Sequence, residues 1–376
     1  MPGTATARRI VVADDSRLMR RVLADALARQ GFEVVGLAGD GDEALDLCRR
    51  ERPDALTLDL HMPGLDGLGV LRALRDGKAE PVPVVVVSAF SPAHGARAVD
   101  ALAEGAFDLV AKPGFGDSLE GFSSELARKV TEAARSGRGR RAPRRSLVLS
   151  PDGSAPSART TPAPPATPAT PPATPATLRP RSATAVRRTA TGPIVVIASS
   201  TGGPRALGEL LPALPAPLGA GGLLVQHMPP GFTASLAARL DGASALTVRE
   251  ARTGDVLDPA ALLVAPGGSH LRLADDRRLR LSDDAPEGGL RPRADFTIHD
   301  AARAFGRRVL LVVLTGMGKD GLDGAAAIKR AGGRILAEAE STCTVYGMPR
   351  AVVEAGLADR VLPLDALAGA IAEELR

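Results

Sequence analysis

Two α/β domains joined by a flexible linker are the architecture that this sequence predicts. Residues 1–134 alternate short β-branched runs with helical patterns, and residues 191–376 repeat that alternation. Residues 135–190 between them are instead rich in Pro, Ala, Thr and Arg. Alternating strands and helices predict parallel sheets with helices on both faces, and in such sheets functional side chains collect beyond the carboxyl ends of the strands.

The composition is that expected of a folded protein of the cytoplasm. Of the 376 residues, 44% are hydrophobic and 24% are charged, and no apolar run approaches the roughly 20 residues of a transmembrane helix. The first residues enter a strand without a signal-peptide core, so we expect a cytoplasmic chain without direct membrane insertion. Cys48 and Cys343 lie far apart, so neither a disulfide framework nor a structural zinc site is expected.

The positive charge is concentrated in the central segment. Residues 135–190 contain eleven Arg, no Lys and one acid, which gives this segment +10 in a chain of net charge +4. The rest of the chain therefore carries −6, and aromatic residues, which could stack on bases, make up only 2% of the sequence. We expect no binding of nucleic acid, although a nucleic-acid-binding or non-catalytic regulator is the alternative to an enzyme.

The central segment also has the composition of a tether. Ten of the thirty residues from 151 to 180 are proline, which excludes a helix or a central strand. Such a segment cannot bury enough apolar surface to fold, and we expect an extended linker that is partly polyproline II. A weaker alternative is that its arginines contact an anionic partner.

The N-terminal segment contains five pairs of a strand and a helix. Each strand-like run is short and rich in Val, Ile, Leu and Ala, as a buried parallel strand requires. We therefore predict a five-stranded parallel sheet in a (βα)5 domain. The predicted strands are residues 10–13, 33–38, 55–58, 82–87 and 107–110, and the predicted helices are residues 17–29, 42–50, 65–75, 92–104 and 117–134.

Polar side chains come directly after four of these strands. Asp14 and Asp15 follow the first strand, Asp59 the third, Ser88 the fourth and Lys112 the fifth. Three carboxylates at one edge repel one another unless a cation joins them, and oxygen ligands suit Mg²⁺. The lysine and the hydroxyl could hold a phosphoryl group attached to one aspartate. Each residue also has an ordinary interpretation, such as a helix cap for Asp14 or a surface position for Lys112.

Four motifs at these strand ends carry a family resemblance: VVADDS at 11–16, LDLHMPGLDGL at 58–68, VVVSAFS at 85–91 and FDLVAKP at 107–113. Through them, residues 8–125 resemble a response-regulator receiver domain. The resemblance implies that Asp59 accepts a phosphoryl group from a histidine kinase. It also implies that Mg²⁺ is held by Asp14, Asp15, Asp59 and the backbone carbonyl of His61, and that the phosphoryl group is contacted by Ser88 and Lys112.

The C-terminal segment alternates in the same way and adds a hairpin. We predict a doubly wound α/β domain, with a β-hairpin at 270–283 where two alternating runs flank Asp275 and Asp276. The predicted strands are residues 194–197, 223–226, 245–249, 262–265, 309–314 and 334–337, and the predicted helices are residues 204–211, 233–240, 294–305, 322–331 and 365–375.

The stretch GPIVVIASSTGG at 192–203 predicts a buried strand that ends in a turn before a helix. Ser199, Ser200 and Thr201 lie in that turn, beside backbone N–H groups that the helix leaves unpaired. Such a turn suits a bound phosphate, a nucleophilic serine or an ordinary strand-to-helix connection. Local chemistry does not separate the two serines.

His227 and Asp320 follow other predicted strands of the same sheet. A serine becomes a nucleophile when an imidazole takes its proton and a carboxylate orients that imidazole. Ser, His and Asp in this arrangement meet the requirement, although His270 is a rival to His227 and Asp320 could simply start a helix. Glycines around Met317 leave backbone N–H groups free for an oxyanion hole.

Five motifs in this segment carry a second resemblance: IASSTGGP at 197–204, VQHMPPGFT at 225–233, VAPGGSHL at 264–271, LTGMGKDG at 314–321 and ESTCTVYGMPRAV at 340–352. They are similar to the motifs of the catalytic domain of chemotaxis receptor protein-glutamate methylesterases, whose order of receiver, linker and catalytic domain this chain matches. The resemblance implies that Ser200 is the nucleophile, His227 the general base and acid, Asp320 its orienting carboxylate, and Met317 an oxyanion-hole donor.

The same resemblance implies a substrate and a mode of control. The substrates are glutamate γ-methyl esters on methyl-accepting chemotaxis receptors, hydrolysed to glutamate and methanol, and receptor glutamines are deamidated. The receiver covers the catalytic cleft until a chemotaxis histidine kinase supplies a phosphoryl group to Asp59, and no cofactor is expected in the catalytic domain. A linker this long lowers the effective concentration of the receiver at the cleft, so we expect weaker basal inhibition than in relatives with a short linker.

Overall fold

The computed structural model describes residues 7–77, 81–89, 92–114, 118–140 and 192–376. Residues 141–190 of the predicted linker lie outside the described residues. The last predicted helix of the N-terminal segment ended at residue 134, whereas the observed helix continues through residues 135–140. The division of the chain at residues 134 and 190 stays a prediction.

The N-terminal part is a five-stranded parallel sheet, as predicted, and its strand order is β2-β1-β3-β4-β5. Its elements alternate strictly along the chain, which is the pattern that produces right-handed crossovers over both faces of a sheet. The elements are β1 Arg9–Ala13, α1 Arg17–Arg29, β2 Glu33–Ala38, α2 Gly41–Glu51, β3 Ala55–Leu58, α3 Gly67–Arg75, β4 Val84–Ser88, α4 Pro92–Ala103, β5 Asp108–Ala111 and α5 Leu119–Arg140.

Strand β1 has apolar side chains on both faces of the sheet, and helices bury each face. Ile10 and Val12 are fully buried on one face, in a cluster with residues of α1 and α5. Val11 and Ala13 are fully buried on the other face, against α2, α3 and α4. A strand that is buried on both faces has a continuous run of apolar residues. This run is the sequence pattern that predicted β1.

The C-terminal part is a seven-stranded parallel sheet with the strand order β14-β13-β12-β6-β7-β9-β8. The predicted hairpin is present as the antiparallel pair β10 and β11. The elements are β6 Ile194–Ser199, α6 Gly203–Leu210, β7 Gly222–Gln226, α7 Phe232–Ala243, β8 Thr247–Glu250, β9 Ala261–Val264, β10 His270–Leu273, β11 Leu279–Ser282, α8 Ala294–Phe305, β12 Val309–Val313, α9 Leu322–Arg330, β13 Arg334–Glu338, α10 Met348–Glu354, β14 Arg360–Leu362 and α11 Leu364–Glu374.

Strand β6 is the centre of this second sheet. Val195 and Ile197 are buried with residues of α6, α7 and α11, whereas Ile194 and Val196 are buried with residues of α8, α9 and α10. The chain continues from β6 to β7 on one side, and β12 returns to pair with β6 on the other side. The strand order therefore reverses at β6, and a crevice beyond its carboxyl end is where such folds place a functional site.

Two short elements were absent from the sequence prediction. Helix α10 has seven residues, and strand β14 has three residues that pair with β13 at the edge of the sheet. Residues Arg360, Val361 and Leu362 are all partly exposed, so β14 lacks the continuous apolar run that marks the central strands.

Helix α4 of the first sheet packs against α6 and α7 of the second. Ala98 and Leu102 belong to the same buried cluster as Phe232 and Leu236 of α7. At Gly95 a β-carbon would lie 2.9 Å from Ser235 Oγ and 3.3 Å from the Gly231 carbonyl oxygen, so the two helices approach closely at this point. None of the helices in the described part of the chain has both the length and the apolar character that crossing a membrane requires.

Candidate phosphorylation site and candidate active site

The three predicted acidic residues meet at one edge of the first sheet. Strands β1 and β3 are parallel neighbours, so the residues that follow them come together. Asp14 and Asp59 are buried and Asp15 is exposed, and one carboxylate oxygen from each lies within 4.8 Å of the other two. Three converging carboxylates are the hard oxygen donors that Mg²⁺ prefers, so the residues present fit that ion.

Lys112 lies between the two buried carboxylates. Its Nζ is 2.7 Å from Asp14 Oδ2 and 2.7 Å from Asp59 Oδ2. Burial raises the pKa of Asp14, and the charge of Asp59 adds to this, while the hydrogen bond and charge of Lys112 offset only part of it. Burial alone would lower the pKa of Lys112, but its bonds to Asp14 and Asp59 raise it overall.

The other two predicted receiver residues lie beside this cluster. Ser88 ends β4 and is fully buried, and its Oγ has no hydrogen-bond partner among the residues that the structure describes. His61 lies two residues beyond Asp59, and its backbone N–H reaches Asp59 Oδ1 at 3.4 Å. The roles assigned to Ser88 and to the carbonyl of His61 stay predictions.

The two serines at the end of β6 differ in their surroundings. Ser199 is fully buried, and its Oγ donates a hydrogen bond of 2.7 Å to Gln226 Oε1. Ser200 is 8% exposed, and the hydrogen bonds seen for it within the described part of the chain are those of its backbone. Its N–H donates to the Thr315 carbonyl at 3.0 Å, and its carbonyl accepts from Gln226 Nε2 at 2.9 Å. Ser199 is therefore occupied in holding β6 to β7, which favours Ser200 as the reactive hydroxyl.

His227 and Asp320 form a hydrogen-bonded pair beside this turn. The distance from His227 Nε2 to Asp320 Oδ2 is 2.7 Å, and both side chains are buried. His227 Nδ1 is buried and has no hydrogen-bond partner among the described residues. Because Asp320 occupies Nε2, the second ring nitrogen is the one available to exchange a proton with a nearby hydroxyl.

His227 and several backbone N–H groups hold Asp320 in its ionised form. Asp320 Oδ2 accepts from Ala294 N at 2.6 Å, and Oδ1 accepts from Asp295 N at 3.0 Å and from Gly321 N at 2.9 Å. Burial alone would raise the pKa of this carboxyl, but the bond to His227 and the backbone donors lower it to about 2. Asp320 is therefore an anion at neutral pH and can orient the imidazole and stabilise its cation.

The rival histidine has a different environment. His270 begins β10 and is fully buried. Its Nδ1 accepts from the backbone N–H of Arg293 at 3.2 Å, its Nε2 lies 3.4 Å from the Ala285 carbonyl, and burial lowers its pKa. Both ring nitrogens thus contact backbone groups, so the structure brings His227 to Asp320 and uses His270 to hold the hairpin.

The loop that carries Met317 lies against the serine turn. A β-carbon at Gly316 would be 2.9 Å from Ser200 Cβ, so only glycine permits this approach. The N–H of Gly316 is bonded to the Val345 carbonyl at 3.0 Å, which fixes the loop. Met317 is the next residue, which suits its predicted role as an N–H donor to an oxyanion formed at Ser200.

Sequence reasoning missed a polar connection between the two sheets. Thr201 Oγ1, next to Ser200, donates a hydrogen bond to Asp108 Oδ2 of β5. Asp108 also faces Lys129 of α5 at 3.3 Å. Burial alone would lower the pKa of Lys129, but the charges of Asp108 and Glu125 raise it. An acid at the start of a buried strand, as in FDLVAKP, is the one signal that could have marked Asp108.

A second missed contact lies close to Met317. The Arg128 guanidinium of α5 contacts Met317 Sδ. The two contacts thus join β5 and α5 of the N-terminal part to Thr201, which follows Ser200, and to the candidate site residue Met317.

Comparison with known proteins gives consistent matches over both parts. The family model described as "CheB methylesterase" matches residues 195–371, and the model "Response regulator receiver domain" matches residues 10–120. A protein of Symbiobacterium thermophilum named "Protein-glutamate methylesterase/protein-glutamine glutaminase" is 42% identical over 368 residues, covering 96% of each chain. A protein of Anaeromyxobacter dehalogenans named "Protein-glutamate methylesterase/protein-glutamine glutaminase 5" is 42% identical over 376 residues, covering 97% of this chain and 96% of that one.

One solved structure is that of the Thermotoga maritima CheB methylesterase catalytic domain. It is 46% identical in sequence, with a TM-score of 0.47, and the match covers 49% of this chain and 98% of that one.

Fold and site together define the class of this protein: a response regulator whose receiver domain precedes an α/β domain with Ser, His and Asp at one sheet edge. Within this class, the sequence identity of 42% to the two relatives, over nearly the whole length of this chain, identifies the family. The chain belongs to the CheB methylesterase family, whose curated relatives are named protein-glutamate methylesterase/protein-glutamine glutaminase.

Proposed function

We propose that this chain hydrolyses glutamate γ-methyl esters on methyl-accepting chemotaxis receptors and deamidates receptor glutamines. The observation that carries the proposal is the buried pair of His227 and Asp320, 2.7 Å apart, beside the turn that holds Ser200. The names of the full-length relatives supply the substrate class. The nucleic-acid-binding and non-catalytic alternatives have no comparable support.

Ser200 is the nucleophile in the proposed reaction. His227 takes the proton of Ser200 Oγ as that oxygen attacks the ester carbonyl carbon, and the carbonyl π electrons move to oxygen. The backbone N–H of Met317 donates to the resulting oxyanion. Collapse of the tetrahedral intermediate breaks the bond to the methoxy group, which leaves as methanol with the proton held by His227.

Water completes the cycle by attacking the acyl-enzyme. His227 accepts a proton from this water and returns it to Ser200 Oγ when the glutamate carboxyl is released. Asp320 keeps its charge throughout and stabilises the imidazolium formed in each half of the reaction.

In the receiver domain Asp59 is the proposed phosphoacceptor, with a chemotaxis histidine kinase as phosphodonor. Asp14, Asp15, Asp59 and the carbonyl of His61 would hold Mg²⁺, which neutralises phosphoryl charge when bound. Ser88 Oγ is a buried hydroxyl available to donate to a phosphoryl oxygen. Lys112 Nζ already faces Asp59 and would pair with the phosphoryl group.

Contacts at the serine turn support the proposed control by the receiver. Asp108 bonds to Thr201, and Arg128 contacts Met317, so the unphosphorylated receiver restricts access to Ser200. Asp108 begins β5, and Lys112 follows the same four-residue strand. If Lys112 moves when Asp59 is phosphorylated, the movement can pass along β5 to Asp108. The bond between Asp108 and Thr201 would then weaken, and the receiver would separate more easily from the serine turn.

The cellular setting is proposed from the same features. We infer a cytoplasmic enzyme that meets its receptors from the cytoplasmic side, binds no nucleic acid and does not insert into the membrane.

Methanol release from methylated receptors by Ser200→Ala tests the proposed function, with Ser199→Ala as the matched control. We expect Ser200→Ala to lose at least about 10³-fold in kcat, because it removes the nucleophile. Ser199→Ala loses only a hydrogen bond to Gln226 and should keep most activity with lower thermal stability. Full activity in Ser200→Ala would refute the assignment.

A further inference from the structure

The starts of helices α8 and α9 are capped by each other's carboxylates. Neither helix has a side-chain cap from its own N-cap residue, which is Arg293 for α8 and Gly321 for α9. Asp320, just before α9, accepts from the first-turn N–H groups of Ala294 and Asp295 in α8. Asp295 Oδ1 accepts in return from Gly321 N at 3.0 Å and Gly324 N at 2.8 Å at the start of α9.

This exchange ties the orientation of Asp320 to Asp295. Gly321 N, the group directly after Asp320, donates both to Asp295 Oδ1 and to Asp320 Oδ1. Asp295 thus fixes the backbone that carries Asp320, and the Asp320 carboxylate is the only group bonded to His227 Nε2 among the described residues. Removing the acceptor at Asp295 frees the start of α9 and, with it, the carboxylate that orients His227.

The buried carboxylates of Asp295 and Asp320 lie side by side, and a nearby cation reduces the repulsion between them. Asp295 and Asp320 are each 4% exposed, and burial together with the charge of Asp320 raises the pKa of Asp295. Arg293 faces both carboxylates: Nη2 is 3.0 Å from Asp295 Oδ2, and Nε is 3.6 Å from Asp320 Oδ1. Glu287 Oε1 lies 3.1 Å from Arg293 Nη1. Lys319 directly precedes Asp320, and Asp323 lies in the first turn of α9.

We propose that Asp295 and Arg293 are positioning residues for the candidate triad, Asp295 holding Asp320 against His227 and Arg293 balancing the charge that the two carboxylates present to the imidazole. This inference rests on the proposed function of Ser200, His227 and Asp320. Neither residue contacts the reacting atoms; each acts through Asp320.

The test is the pH profile of kcat/KM for methanol release from methylated receptors by the full chain, activated with acetyl phosphate. Asp295→Ala should lower kcat about 10-fold, with KM within about twofold, because the loss is one of orientation. Asp295→Asn keeps an oxygen acceptor for Gly321 and Gly324, so it should recover kcat to within about threefold of the unsubstituted protein.

The two charge changes should move the acid limb of the profile in opposite directions. The acid limb reports protonation of the general base, which negative charge nearby promotes. Asp295→Asn removes a negative charge and should shift the limb to lower pH by roughly half a unit, whereas Arg293→Gln removes a positive charge and should shift it upward by a similar amount. The double variant should return the limb close to its original position.

Asp300→Asn is the matched control on the same helix. Asp300 is a buried carboxylate of α8 that accepts from Arg272 Nε at 2.7 Å and Leu273 N at 3.1 Å, on the side of the hairpin. It should lower thermal stability while leaving kcat and the acid limb in place. If Asp300→Asn lowers kcat as much as Asp295→Ala, or if Asp295→Asn and Arg293→Gln leave the limb unmoved, the inference is wrong.

The same assay separates this inference from the proposed function. Retained methanol release by Ser200→Ala would refute the function itself. An inactive Ser200→Ala together with Asp295 and Arg293 variants that match the unsubstituted protein in kcat and pH profile would refute only the positioning role.

Discussion

The candidate phosphorylation site and the candidate active site each centre on an aspartate beyond the carboxyl end of a parallel strand, but their surroundings differ. At the receiver edge Asp14 and Asp59 share one side-chain cation, Lys112. At the other edge Asp320 receives three backbone N–H groups and His227. The pKa of Asp14 is raised by burial and the charge of Asp59, whereas that of Asp320 is lowered to about 2.

The difference shows how one kind of sheet edge supports two kinds of chemistry. Oriented backbone donors at helix starts stabilise an anion permanently, so Asp320 can polarise a histidine without a metal ion. Paired carboxylates with one lysine leave negative charge in excess, so the receiver edge is suited to bind a divalent cation and then a phosphoryl group.

The largest expected effect is at the imidazole. His227→Gln removes the group that takes the serine proton, so kcat for methanol release should fall at least about 10³-fold. His270→Gln should stay within about fivefold in kcat and lose thermal stability, because His270 holds the hairpin. An active His227→Gln, or an inactive but folded His270→Gln, would reverse the assignment of the two histidines.

A change at the receiver edge should act on phosphorylation alone. Asp14→Asn removes one carboxylate from the cluster, so Mg²⁺-dependent phosphorylation of Asp59 by acetyl phosphate should slow by about 10- to 100-fold. Asp25→Asn, an exposed acid of α1, serves as the control and should leave the rate unchanged. A normal Mg²⁺ dependence in Asp14→Asn would show that the cluster is not the metal site.

The depressed pKa of Asp320 predicts a pH-dependent contribution to stability. The folded pKa, about 2, lies below the ordinary pKa of an aspartate, so the stabilisation is present above about pH 4 and is lost as pH falls towards 2. Asp320→Asn should therefore lower the free energy of unfolding by about 2 kcal/mol at pH 7, and by progressively less in acid.

Denaturant unfolding of the two proteins between pH 2 and pH 7 measures this difference. Asp323→Asn, an exposed acid in the first turn of α9, should cost only a few tenths of a kcal/mol. A deficit for Asp320→Asn that is constant over this pH range would contradict the stabilising role of the bonds that His227 and the backbone N–H groups make to the ionised Asp320.

The smallest expected effect is at the contact between the two domains. Arg128→Ala removes an exposed side chain that contacts Met317, so unphosphorylated methylesterase activity should rise by about threefold, as expected for one solvent-exposed contact. Arg135→Ala, an exposed position of the same helix that pairs with Glu132, should leave it unchanged. Equal basal activities in the two variants would exclude Arg128 from inhibition.

The sequence predicted the strands that are buried on both faces and the residues at their ends. Long apolar runs such as β6 and β12 carry a strong local signal, and parallel pairing brings the residues after them together. The three-residue edge strand β14 carries no such signal.

The choices left open by local chemistry depended on residues distant in the sequence. The bond from Ser199 to Gln226 of β7 distinguishes Ser199 from Ser200. The two histidines are distinguished because His227 bonds to Asp320, whereas His270 bonds to the backbone of Arg293. Asp295 looks locally like an ordinary first-turn acid, yet it caps a different helix. The sequence pattern of one segment does not indicate hydrogen-bond partners that lie in distant segments.

We propose that phosphorylation at the receiver edge controls catalysis at the second edge. Methanol release from methylated receptors, with and without acetyl phosphate, tests it in the unsubstituted protein and in Asp59→Asn. We expect the phosphodonor to raise the rate of the unsubstituted protein and to leave Asp59→Asn at the basal rate. An equal response of the two proteins to acetyl phosphate would contradict the claim.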